Sequence, residues 1–269
     1  MEQWRVKRMF TVHKSGVIDL AWCPDNIHFA SCGNDSLLII WSINEAGKAT
    51  MSHDVAPIKI IDVKANGVTF DPFGKFMATQ SSEDRTLTIW RLQQNYKNVT
   101  QVCQHHSYYK NSMAMSMFRR LSWSADGQII SSTAGKLGAM HTAPLLERSS
   151  WKLLATLAGH SKTISSTRFN PRLYKDAAGG CYSVVAAASI DSTISVWKPG
   201  MDKPLTVMMD VFKMGITDLS WGFNGNILLA SSTDGKVVCV HYEPGVLGEP
   251  LSEFEKQRII ETRYGQSTL

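Results

Sequence analysis

Short apolar runs, rich in β-branched residues and broken by turn formers, recur along most of the chain. Leu37–Trp41, Thr86–Trp90 and Val184–Ala188 are examples. An aromatic residue closes the run ahead of each turn: Trp22, Phe70, Trp123, Phe169 and Trp221, at steps of 48, 53, 46 and 52 residues. Behind them come Cys23-Pro24-Asp25, Asp71-Pro72-Phe73-Gly74, Ser124-Ala125-Asp126-Gly127, Asn170-Pro171 and Gly222-Phe223-Asn224-Gly225. Proline presets φ, and glycine or asparagine accepts positive φ, so each set predicts a chain reversal between two strands. Strand-length runs at such an interval predict an all-β repeat protein.

A second spacing agrees with the first. Asp35, Asp84 and Asp191 each stand six residues before a tryptophan: Trp41, Trp90 and Trp197. The fullest unit, Leu157 to Trp197, opens on Gly159-His160 and closes on that Asp-to-Trp step. Both spacings are those of WD40 repeats, about 40–45 residues per propeller blade. The expected fold is an all-β WD40 β-propeller with five recognisable blades in residues 1–243. Residues 244–269 follow as a connector with a short helix or linker.

In such a blade a His, an Asp, a Ser or Thr and a Trp form a buried hydrogen-bonded chain, because a buried indole N–H needs an acceptor. Blade one offers His13, Ser31, Asp35 and Trp41. Blade two keeps Asp84 and Trp90, with Gln80 at the serine position. Blade three has almost none of the set. Blade four keeps His160, Asp191 and Trp197 but has Ala187 where the serine would sit. Blade five keeps Asp234 and ends in Val240.

Between these marks, Trp4–Val12 alternates like the outermost strand of a blade, and Ser42–Ala56, with His53, reads as a polar loop. Ile58–Val63 and Gly67–Phe70 enter blade two. Gln93–Asn111 reads as a solvated loop, and its His105-His106 lacks further ligands at metal-binding spacing. Met113, Met115 and Met117 alternate as in a strand. After Pro244–Pro250, Ser252-x-x-Glu255 has the form of a capping box, so Glu253–Tyr264 is expected to be a charged helix with too few apolar residues for a core element.

Composition narrows the classes. The chain has 269 residues, and at 43% hydrophobic it can build a core. A net charge of +5 permits an acidic partner without arguing for nucleic acid. Lys162, Arg168, Arg172 and Lys175 read as one solvated charged loop. Five scattered cysteines without C-x-x-C spacing read as reduced thiols packed as small hydrophobes. MEQWRVKRMF is no signal peptide, and no apolar run is long enough to span a bilayer.

No nucleotide or metalloprotease motif is present, and the Ser, His and Asp of blade one occupy structural positions, so no catalytic residue, cofactor, metal or small-molecule substrate is expected. Arg119 and Arg120 are the weak partner-binding candidates. Asp19 and Asp218 stand three residues before the aromatic in blades one and five, and Arg120 reverses that charge in blade three. That reversal means either an inter-blade ion pair or a site facing a ligand.

Beyond the repeats, the chain resembles the WD40 domain of the HIRA/Hir histone chaperone family over nearly its whole length. The marks are Glu2-Gln3-Trp4-Arg5, Ala30-Ser31-Cys32, Asp71-Pro72, Asp84-Arg85, Arg120-Leu121-Ser122-Trp123-Ser124 and Asp126-Gly127. They continue with Glu147-Arg148, Trp151-Lys152, Gly159-His160, Phe169-Asn170-Pro171 and Lys203-Pro204-Leu205. The most specific lies after blade five: Leu247-Gly248-Glu249-Pro250-Leu251-Ser252, Glu255-Lys256, Arg258-Ile259 and Tyr264-Gly265. A generic repeat would not share it.

The resemblance implies a nuclear, non-enzymatic scaffold for chromatin regulation in a complex that deposits histones outside replication. It implies a ubinuclein-like subunit as partner, histones reached through the complex, and contact with other chromatin-assembly subunits. The alternative is a WD40 scaffold of another complex, such as the middle subunit of chromatin assembly factor or a cytoplasmic adaptor. The family's ring has seven blades, two of them before the position of Glu2, so a fragment is expected rather than a closed five-bladed ring. The family's regions for the other chaperone and for oligomerisation lie beyond Leu269.

Overall fold

The computed structural model describes residues 9–43, 56–112 and 117–265. Among these, strands form five antiparallel sheets, one per blade. Blade one holds β1 (Val17–Trp22), β2 (His28–Gly33), β3 (Leu37–Ser42) and β4 (Lys59–Asp62) in that order. Blade two holds β5 (Gly67–Phe70), β6 (Phe76–Ser81), β7 (Thr86–Gln93) and β8 (Asn98–His105). In blade three, β9 (Ser122–Trp123) and β10 (Ile129–Ser131) meet a long β12 (Met140–Glu147). That strand also pairs with β11 (Gly135–Leu137) and with β13 (Leu153–His160) on its other edge. Blade four is β14 (Ile164–Lys175), β15 (Cys181–Ser189), β16 (Ile194–Trp197) and β17 (Thr206–Met208); blade five is β18 (Ile216–Trp221), β19 (Ile227–Ser232) and β20 (Val237–His241).

The outer strand of each sheet precedes the inner strand of the next along the chain, and inner strands β1, β5, β9, β14 and β18 follow one another around the axis. This connectivity corrects the boundary drawn from sequence. Ile58–Val63 contains β4, which pairs with β3 and therefore completes blade one.

Each blade-to-blade junction has its own core. Val184, Ala186 and Ala188 pack toward blade five with Ile216, Leu219 and Leu228. Their neighbours Val185 and Ala187 point the other way, to Ala143, Leu145 and Leu157 of blade three. A strand buried on both faces reads as a continuous apolar run. Full burial of each Val, Leu or Ile is worth about 1.5–3 kcal/mol. The two outermost faces differ. Leu20 (63% exposed) and Trp22 (59%) lie on the side of blade one away from blade two, and Leu229 (40%) and Val237 (69%) on the side of blade five away from blade four. Blade five also has three described strands where the others have four or five.

Two further expectations change. Asn170-Pro171 does not reverse the chain: β14 continues to Lys175 through an irregularity between Phe169 and Leu173, and the turn falls at Asp176–Gly180. Proline removes one ladder donor, which a bulge tolerates. Gln93–Asn111 is not simply a loop, because β8 pairs along β7 as an edge strand whose polar side chains face outward. Of the expected strand Trp4–Val12, residues 4–8 lie outside the described residues, as do 44–55 of the loop with His53 and 113–116 of the methionine stretch. Phe10 packs edge-on against Phe29 and Trp41, and Met117 is exposed.

The helix α1 (Glu253–Tyr264) forms where the capping box predicts it, with Ser252 and Glu255 bonded reciprocally. Only Ile260 is buried. Its connector is a structural piece: Lys175 N–H donates to Glu249 O and Leu251 N–H to Leu173 O, lengthening the end of β14. All five cysteines are free; Cys23 and Cys32 are buried as expected, whereas Cys239 is exposed. No helix among the described residues is long and apolar enough to cross a membrane.

Candidate protein-interaction surface

The expected blade-internal chain is complete in blade one. Ser31 Oγ accepts from Trp41 Nε1 at 2.9 Å and bonds His13 Nε2 at 2.7 Å, while His13 Nδ1 lies 2.9 Å from Asp35. Burial pushes the Asp35 carboxyl up, but Lys14 N–H and His13 more than offset it and hold it below its usual range. Blade four builds the Trp–Ser–His part of that chain with a serine that the sequence pattern missed. Trp197 Nε1 donates to Ser195 Oγ at 2.8 Å, and His160 Nε2 bonds the same oxygen at 2.7 Å. Ser195 is the direct cross-strand partner of Ala187, so the hydroxyl has moved one strand over at the same rung. Asp191 lies 3.6 Å from His160 Nδ1, beyond hydrogen-bond length, and accepts from the N–H groups of Ser161 and Thr193. Burial raises its carboxyl, and His160 with these donors holds it far below the usual range.

Blade two departs further. Trp90 Nε1 donates to Thr79 Oγ1, and Gln80 instead reaches into blade three, donating to Thr133 O and accepting from Thr133 N–H and Oγ1. Asp84 receives no such chain; its backbone N–H donates to Ser81 Oγ. In blade five Asp234 accepts from the N–H groups of Lys213 and Lys236. These groups hold strands and turns together, and none faces an open cleft as an activated nucleophile would.

At the axis, β1, β14 and β18 all carry a register shift three residues before their aromatic, at Val17/Asp19, Ile164/Ser166 and Ile216/Asp218. Such a bulge re-aims a side chain. It brings Asp19, Ser166 and Asp218 toward one centre, where Arg120 supplies the opposite charge. Arg120 pairs closely with Asp19 and lies 3.8 Å from Asp218, which also accepts from Arg168 at 2.9 Å and Ser166 at 3.2 Å. Of the two meanings of the charge reversal, the geometry shows the ion pair between blades. Arg119 is 2% exposed, and burial pulls its guanidinium down to about 10. Gly67 holds the matching position in blade two because a Cβ there would lie 1.7 Å from Arg119 O.

Of the four basic residues expected in a solvated loop, three lie on β14 and are likewise committed, while Lys162 is exposed. Arg168 binds Asp218, Arg172 binds Glu253 and Lys175 binds Glu249, tying blade four to blade five and the tail.

One clamp escaped the sequence reading altogether. Arg148, 8% exposed, donates to Asp71 Oδ2 at 2.6 Å and to Gly127 O, joining blades two and three. Its guanidinium also lies over the rings of Phe73, Phe76, Trp123 and Tyr264, the last from α1. Asp71-Pro72 and Glu147-Arg148 stand out in the sequence, but nothing there pairs them. Arg263 and Tyr264 complete the contact by bonding Asp126. The helix thus rests on the turns that follow the inner strands of blades two and three and on the irregular stretch of β14 at Pro171 and Arg172.

Blades joined outer strand to inner strand, with Trp-centred hydrogen-bonded chains, define a WD40 β-propeller. A sequence profile of the CAF1B/HIR1 beta-propeller domain matches residues 1–247. The chain is 34% identical over 258 residues to Protein HIR1 of Mycosarcoma maydis, covering 94% of this chain and 24% of that protein. It is 32% identical over 272 residues to Protein HIR1 of Kluyveromyces lactis (93% and 30%) and 30% over 266 residues to Protein hir1 of Schizosaccharomyces pombe (98% and 27%). The chain belongs to the CAF1B/HIR1 β-propeller family as a HIR-type WD40 domain, and it spans about a quarter of the length of these relatives.

Proposed function

We propose that this chain is a non-enzymatic interaction platform of a HIR-like histone chaperone complex, acting in the nucleus in replication-independent nucleosome assembly and transcriptional regulation. Its partner is a ubinuclein-like subunit, and histones are reached through the complex. The observation that carries this is the match to HIR1 proteins over 98–99% of this chain, which reaches into the tail outside the repeats. The blade chemistry supports it, since the candidate triad of His13, Ser31 and Asp35 is closed around Trp41. Arg120 contributes by holding the axis rather than by a free docking contact. Two further blades, giving seven, would cover Leu20 and Trp22 on one side and Leu229 and Val237 on the other. A structure of the full-length protein that closed with five blades would overturn that count.

Affinity capture of the tagged chain from nuclear extract, read by mass spectrometry, tests the function. Recovery of a ubinuclein-like protein with histones is expected. Recovery of chromatin-assembly-factor subunits instead would favour the second reading, which the paired name of the family keeps open. Recovery of neither would overturn both.

A further inference from the structure

A groove of about 480 Å³ runs between α1 and the tip of the β14–β15 hairpin. Its size is that of a ligand site. Leu251 and Ile259 give it apolar surface, Arg258 and Arg263 line the helix side, and Gly179 and Gly180 form the opposite rim. A second hollow toward β13 and Lys198 shares Cys181 and Arg263 with it, so the surface continues beyond the helix.

The charges along this surface are almost all answered from within the protein. Glu255 accepts from Ser252 N–H and Oγ at 2.8 Å each. Asp126 accepts from Arg263, Asp176 from Lys198, and Glu147 from Ser150. Arg258 is the exception: its guanidinium lies 6.0 Å from the ring of its own neighbour Phe254, and among the described residues it has no carboxylate partner. An exposed arginine beside apolar surface, on a helix fixed at both ends, suits a carboxylate carried by an apolar peptide. The rim opposite is open backbone, since a Cβ on Gly180 would meet nothing within 4 Å.

We propose that this groove binds an acidic, aliphatic peptide segment of a partner protein, with a carboxylate on Arg258 and an aliphatic side chain on Leu251 and Ile259. The site does not depend on which complex the chain serves. A nucleic acid is the poorer occupant, because among the described residues lining the groove Arg258 is the one cation without a carboxylate partner, and a single cation suits one carboxylate better than a continuous phosphate backbone.

The test is selection of a random twelve-residue peptide display library on the whole chain, followed by anisotropy titration of the enriched peptides. Arg258→Glu and Gly180→Tyr are compared with the unaltered protein after their melting curves are shown to match it. Neither site makes an ion pair or needs positive φ, so both variants are expected to fold. The expected result is enrichment of Asp or Glu flanked by Leu, Ile or Val, with affinity falling at least tenfold in each variant and weakening in salt. Failure to enrich any peptide, enrichment of basic peptides, or affinity unchanged by Arg258→Glu would overturn the proposal. So would a single-stranded oligonucleotide that displaced the peptides at equal concentration.

Discussion

Replacing Arg148 tests whether blades two and three are joined by charge or by apolar packing alone. Arg148→Met keeps an unbranched chain of similar length but removes the partner of Asp71, which is 0% exposed. The remaining bond to Asp71, from Phe76 N–H at 2.8 Å, cannot neutralise a buried carboxylate. Breaking a buried pair from one side costs about 3–5 kcal/mol. At about 2–4 °C per kcal/mol for a chain of this size, the melting temperature should fall by roughly 6–20 °C. The four rings around the guanidinium lose a cation as well, and Tyr264 loses its seat, so amides of α1 should exchange faster in hydrogen exchange.

The assay is a double-mutant cycle with Asp71→Asn, which retains an acceptor for Phe76 N–H. Urea unfolding should give Arg148→Met plus Asp71→Asn a smaller loss than the two single changes added together, by about 1–3 kcal/mol. Strict additivity, or a loss below about 1 kcal/mol for Arg148→Met, would refute the charge clamp.

Ser195→Ala should cost about 1–3 kcal/mol by leaving the Trp197 indole and the His160 ring without the hydroxyl they share, and adding Ala187→Ser, across the ladder, should return part of the lost melting temperature. Asp35 has a folded-state pKa held below its ordinary value, so its stabilisation is present at neutral pH and disappears as pH falls through that lower value; the gap in urea midpoint between the unaltered protein and Asp35→Asn should therefore shrink from pH 7 to about pH 3. A gap that stayed constant would deny the linkage. Gly67→Ala should yield little soluble protein, because backbone cannot yield to a Cβ at 1.7 Å, whereas Gly138→Ala, in open space at φ 58, should cost only about 1 kcal/mol in a melting scan.

The periodic features were legible because they repeat. An aromatic at the end of an inner strand and an Asp six residues before a Trp are local signals, and they locate blades without knowledge of what touches what. Partners that lie far apart in sequence were not legible. Asp71 and Arg148 are separated by 77 positions, and each alone reads as an ordinary polar residue near a turn. Ser195 escaped for a different reason: a ladder lets a hydroxyl reach the same indole from either of two paired strands, so a template fixed on one strand misses it. Asn170-Pro171 misled because the same residue pair that starts a turn also suits a bulge, and only the pairing partner decides between them.

The axis shows how a repeat can be altered without losing its frame. Asp19, Gly67, Arg120, Ser166 and Asp218 occupy equivalent places, three before the aromatic, yet no two neighbouring blades use the same residue. Five identical aspartates would repel one another at this centre, and five arginines would do the same. One arginine between two aspartates resolves the charge, a serine bridges to Asp218, and a glycine lets the Arg119 carbonyl approach.

The tail follows the same logic outside the repeats. Gly248, at φ 107, is required because a Cβ would come 2.1 Å from the Tyr182 hydroxyl, which donates to Leu247 O. From there Glu249–Leu251 extends β14, Ser252 caps α1, and Tyr264 ends beneath Arg148. Gly248, Glu249, Leu251 and Tyr264 meet partners on particular blades, so the stretch could not be exchanged between blades as a repeat element could. Through these contacts the tail ties blades two, three and four together and sets one wall of the Arg258 groove.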